Sequence, residues 1–164
     1  MSMTHYMELL ATNQPWNVII FMAVPVILAE TIAIAELYLL FTRNFSGKIK
    51  RLSRNAGIIL GIYFLGIFFY LLKTAVIPLT TTGAWRGIFD IIAVNSYLLG
   101  VVPLFGISLL ELGLIGKNKS TEEKLKLHAT FVGIFLVVAH IAMIFGMLNP
   151  ELLTGQAVPP MHSM

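Results

Sequence analysis

Four predominantly apolar runs, each at least as long as the ~20 residues that a helix needs to cross the hydrocarbon core of a bilayer, constrain this chain more than any other feature. They cover about Trp16 to Thr42, Ala56 to Leu79, Trp85 to Ile115 and Leu127 to Leu148. A helix of a soluble domain carries an apolar stripe and a polar face, whereas a segment that is apolar all round is suited to lipid. Within lipid the backbone must satisfy its own hydrogen bonds, which selects helix. Composition agrees: 57% of residues are hydrophobic and 12% charged, about half the charged share of an average soluble domain. The expected fold is an all-α integral membrane bundle of four transmembrane helices. It runs antiparallel, up-down-up-down, as a single transmembrane domain over residues 1–164.

Charge placement orients the helices. Arg43, Lys48, Lys50, Arg51 and Arg54 follow the first helix, and Lys117, Lys119, Lys124 and Lys126 follow the third. Basic loops stay in the cytoplasm, so loops 43–55 and 116–126 are expected there. Both tails, 1–15 and 149–164, are then outside, as in a bacterial inner (plasma) membrane. The uncharged link from Thr80 to Ala84 suits a tight outer hairpin, with Trp16 and Trp85 at the outer interface. The first fifteen residues hold no Lys or Arg, and the run from Trp16 is too long for a cleaved signal, so the first helix is expected to remain. The formal charge of +3 resides mainly in these loops, which argues against a nucleic-acid partner.

Pro25 and Pro103 fall inside helices, where each removes a backbone donor and bends the rod. Gly57 and Gly61 form GxxxG, and Ala29 and Ala33 a second small-residue pair, both sites of close helix approach.

Polar residues at membrane depth are the functional signal, because a charge at a helix centre costs about 2.5–3.5 kcal/mol on insertion scales. Glu30, Glu36, Lys73, Asp90, Asn95, Glu111 and His140 qualify. A rise of ~1.5 Å per residue sorts them into three layers. Lys73, Arg86 and Asp90 lie outermost, where the aspartate can pair with either cation. His140, Asn95 and Glu30 lie in the outer half and near the middle. Glu36, Glu111 and His128 lie toward the cytoplasm. Glu30 is too far from either helix end to reach water, so it needs a proton, a partner or an ion.

His140, Met143 and Met147 stand at i, i+3 and i+7, on one helix face. Imidazole and thioether favour soft or borderline metals, copper(I) above all, or zinc. With no cysteine in the chain, a metal must use His, Met or carboxylate. Met22 near the outer end of the first helix can join, and Met3, His5 and Met7 with Met161 and His162 can collect ions in the tails. The Met143/Met147 spacing, the Met-bearing tails and GxxxG resemble features of the eukaryotic high-affinity copper channels. That resemblance covers a few residues and implies shared soft-metal chemistry; those channels differ in having three helices and a cytoplasmic C-terminus.

The sequence reading is therefore a membrane protein that binds or transports a copper-like cation. His140, Met143, Met147, Glu30 and Met22 form its site, and Asn95, Asp90, Lys73, Glu36, Glu111 and His128 its pathway. The alternatives are a haem b or quinone redox subunit of a respiratory complex, or a structural accessory subunit. Haem fits poorly, since His128 and His140 share one helix about 18 Å apart. No nucleophile-elbow or HExxH pattern marks a hydrolase. A single four-helix subunit leaves little room for a central pathway, so a homo-oligomer or a larger membrane complex is expected.

Overall fold

The computed structural model describes residues 3–150. A short helix α1 (His5–Ala11) precedes four long ones: α2 (Trp16–Thr42), α3 (Lys48–Thr82), α4 (Ile88–Glu111) and α5 (Thr121–Met147). No strand occurs among the described residues. Each long helix is apolar and long enough to cross a membrane.

The helix α2 coincides with its apolar run, but three boundaries move by four to eight residues for local reasons. The helix α3 begins eight residues before Ala56, because Lys and Arg are good helix formers even though they end an apolar run. Its first two turns are therefore basic rather than loop. The helix α5 begins at Thr121, where Ser120 caps it. The Ser120 hydroxyl accepts from the Glu123 N–H at 3.2 Å, and the Glu123 carboxylate accepts from the Ser120 N–H at 2.7 Å. The helix α4 stops at Glu111 although Leu112, Leu114 and Ile115 are apolar; Gly113 turns the chain with a φ of 73°.

Pro25 shows how a helix defect is absorbed. It has no N–H, so carbonyls one turn back lose their usual partner. A five-residue π-helical stretch, Ile19–Ala23, lies just before it. Two tyrosines from other helices then supply donors: Tyr97 Oη donates to the Phe21 carbonyl at 2.5 Å, and Tyr63 Oη to that of Ile20 at 2.9 Å. A second π-helical stretch, Leu72–Val76, precedes Pro78 in α3, and α4 carries a break at Gly100.

The long helices pack into one bundle around a continuous apolar core. The first two-thirds of α3 lies against α2 and against the second half of α4, and the first half of α4 lies against α5. Gly57 and Gly61 permit the α3–α4 contact. A Cβ on Gly61 would stand 2.4 Å from the Leu104 carbonyl oxygen and 2.0 Å from Ser108 Oγ. Ser108, fully buried, donates to the carbonyls of Gly57 and Ile58 at 3.0 Å. Phe64 fills the centre against Tyr97 and Phe135, with ring centroids 5.2 and 5.8 Å apart, within the range of favourable aromatic pairs.

The segment before Trp16, expected as a tail, is folded onto the bundle. Thr4 caps α1, accepting from the Met7 N–H at 3.3 Å, and donates to the Gly146 carbonyl of α5 at 2.6 Å. Tyr6 is buried against Gly146 and Tyr97, and burial pushes its phenol up to about 12.

Candidate functional site

A cavity of about 220 Å³ opens between α2 and α5. Met22, sitting in the π-helical stretch ahead of Pro25, and Glu30 line it from α2, and His140 and Met143 from α5. Four of the five residues read from the sequence as metal ligands thus share one cavity. Its remaining wall is apolar and aromatic, with Tyr6, Phe21, Tyr97 and Phe135. His140 Nδ1 lies 2.6 Å from the Leu136 carbonyl oxygen one turn back. A carbonyl only accepts, so Nδ1 carries the hydrogen and Nε2 of the neutral ring keeps its lone pair. Metal-binding histidines are held in the same way, with one nitrogen tied and the other presented.

The other candidates take different positions. Met147 is 66% exposed and does not line the cavity. Asn95 is exposed and donates to the Ile91 carbonyl of its own helix at 2.8 Å. Lys73 is exposed on α3. Met161 and His162 lie outside the described residues.

Asp90 pairs with neither Lys73 nor the Arg86 guanidinium. It is fully buried and accepts from the backbone N–H of His5 at 2.6 Å, pairs with His5 Nδ1 at 2.6 Å, and accepts from the Arg86 N–H at 3.3 Å. The Arg86 guanidinium instead binds Glu8 at 2.5 Å and the Met3 carbonyl at 2.5 Å. The residues read as tail collectors are thus part of a clasp: His5 holds Asp90, Met3 receives Arg86, and Met7 packs on the core.

At the opposite end of the bundle all four long helices contribute to a polar chain, α3 with two members and the others with one each. Glu36 of α2 is 2% exposed and His128 of α5 is 1% exposed. Glu36 Oε1 meets His128 Nδ1 in direct contact, and Ser53 Oγ of α3 lies 3.5 Å from the same oxygen. His128 Nε2 faces Glu111 Oε1 of α4 at 3.5 Å, and Lys50 Nζ of α3 binds that oxygen at 3.1 Å. Room for the imidazole comes from Gly57, where a Cβ would stand 3.2 Å from Nε2. Among the described residues no group of three or more His, Asp or Glu is arranged to hold a metal ion.

Helical rise groups Glu36, Glu111 and His128 in one depth layer, but hydropathy alone places Lys50 in a loop and gives no cue to Ser53 or Ser108. The basic turn Lys48–Arg54 was the missed signal. Its residues have high helix propensity, and continuing α3 backward by helical rise brings Lys50 to the end of α4. The roles of Tyr63, Tyr97 and Tyr6 had only one cue: a proline-freed carbonyl in a membrane helix needs a donor.

No curated protein and no solved structure matches the chain. A family model described as "Family of unknown function (DUF6803)" matches residues 1–162, and the chain belongs to that family.

Proposed function

We propose that this protein binds a soft or transition-metal cation, copper(I)-like in its preferences, in the cavity between α2 and α5. The observation that carries the reading is the convergence of Met22, Glu30, His140 and Met143 on one cavity. The backbone bond at His140 Nδ1, which leaves Nε2 available, supports it. Two thioethers and an imidazole need no deprotonation to bind a soft ion, and Glu30 supplies a compensating charge. In this reading the helices alternate direction, the basic loops face the cytoplasm of a bacterial cell, and both tails are outside. Glu30 and His140 are exposed at membrane depth, which favours a second copy or a larger complex covering that face.

One observation favours a second reading. An apolar cavity of about 150 Å³ can hold a benzene ring, so 220 Å³ lined by four aromatic residues also suits the ring of a quinone. In that case His140 Nε2 and Glu30 would address the ring oxygens.

The test is elemental analysis and an absorption spectrum of the detergent-purified protein beside His140→Ala, Met143→Ala and Met147→Ala. The metal reading expects near-stoichiometric copper or zinc that falls at least tenfold in the first two variants and holds in Met147→Ala. A metal-free protein whose organic extract contains a quinone, lost in His140→Ala, would replace it with the second reading. A Soret band lost in His140→Ala would make this a haem protein.

A further inference from the structure

The polar chain at the basic-loop end is distinct from the cavity between α2 and α5, and no role in metal or ring binding accounts for it. Burying ionisable groups is costly, and a buried ion pair rarely stabilises more than apolar residues of equal volume. A chain assembled from four helices therefore calls for a function beyond holding them together.

Its open side faces a cavity of about 450 Å³ lined by Lys50, Arg51, Arg54, Glu111 and Lys124. From this vestibule the groups run inward in order: Lys50, Glu111, His128, Glu36. Two buried atoms of this polar chain, His128 Nε2 and Glu36 Oε2, have no hydrogen-bond partner among the described residues.

Charge counting defines what is missing. With both carboxyls ionised, Lys50 charged and the imidazole neutral, the chain would carry one net negative charge. A single added proton brings the sum to zero. Placed on His128, it puts an N–H on both ring nitrogens, each opposite a carboxylate oxygen. A neutral ring can donate to only one of those oxygens and turns a lone pair on the other.

We propose that Glu36, His128 and Glu111 form a proton-binding site that exchanges one proton with the vestibule. Glu111 receives the proton at the vestibule floor, passes it to His128 Nε2, and Nδ1 is held by Glu36. Lys50 sets the charge at the entrance. The charged and titratable groups facing the imidazole are Glu36 from α2, Lys50 with Arg51 and Arg54 along the vestibule from α3, Glu111 from α4, and Lys124 one turn away on α5 itself.

The experiment is a pH titration of the full chain in lipid nanodiscs by ¹⁵N-histidine NMR, with the His128 signal identified by its loss in His128→Asn. His128 is expected to pass once between its neutral and doubly protonated forms across the titration. Removing a facing negative charge in Glu111→Gln should lower the midpoint by about 1–3 units, and removing the cation in Lys50→Met should raise it. Lys50 is partly exposed at the vestibule, so the second variant keeps the fold if the first is impaired. A His128 signal that stays in one state over the whole range in which the protein remains folded, or a midpoint indifferent to both variants, overturns the proposal.

Discussion

The hydroxyl of Tyr97 on α4 donates to the carbonyl of Phe21 on α2 at 2.5 Å, and that carbonyl lies four residues before Pro25. The bond repairs the donor deficit made by the proline, and it ties α4 to the π-helical stretch that brings Met22 to the cavity. Tyr97→Phe keeps the ring contacts with Phe64 and Tyr6 and removes only the donor. The loss leaves a buried acceptor unsatisfied, which costs about 1–3 kcal/mol. The thermal midpoint in detergent should fall by about 2–4 °C per kcal/mol for a chain of this size. An unchanged midpoint would show that the Phe21 carbonyl finds another donor.

Gly61 and Gly66 lie in the same helix and should respond oppositely to alanine. At Gly61 a methyl group would meet the Leu104 backbone, which cannot swing aside. Gly61→Ala should therefore push α3 from α4 at a cost of at least ~1–3 kcal/mol. At Gly66 nothing among the described residues lies within 4 Å, and relief of glycine's conformational entropy should leave Gly66→Ala neutral or more stable by up to ~1 kcal/mol. Paired thermal melts decide the matter.

Asp90 and His5 fix α1 to the bundle. Asp90→Asn removes the charge from three hydrogen-bonded contacts and places an amide N–H₂ against a donor. Charge-assisted hydrogen bonds are worth about 1.5–3 kcal/mol, so amide exchange over His5–Ala11 should accelerate roughly 10–100-fold. Exchange within α2 to α5 should hold. Equal acceleration everywhere would mean that the clasp supports the whole bundle rather than α1 alone.

The four long helices were legible because each apolar run exceeds what any soluble core requires, and the start of α2 at Trp16 coincides with a change in hydropathy. Charged turns were not legible by the same measure. Lys48–Asn55 reads as loop to a hydropathy rule and as helix to a propensity rule, and the latter holds. Likewise α1 is too short and too polar to register, and only its docked partners Asp90, Arg86 and Gly146 reveal its place. Among the candidate ligands, helical spacing grouped His140 with Met143, which line the cavity, and with Met147, which does not. A spacing of i+7 keeps a residue on the same helix face, but two turns carry it about 10 Å along the axis, past the cavity.

Alkaline pH should release α1 through Tyr6. Its phenol is buried and neutral in the docked helix, and burial pushes it up to about 12 from an ordinary 10. Below pH 10 both docked and released forms keep the proton, and the contribution of Tyr6 to docking is complete. As pH rises from about 10 toward 12, the released form ionises first while the docked form still holds its proton. Docking therefore weakens across that window, by about 1.4 kcal/mol for each unit of difference. Amide exchange over His5–Ala11, corrected for the intrinsic base-catalysed rate, should show this loss of protection in the wild type. Tyr6→Phe, which cannot ionise, should remove the alkaline step. Persistence of the step in that variant would assign it to another group at the α1 clasp.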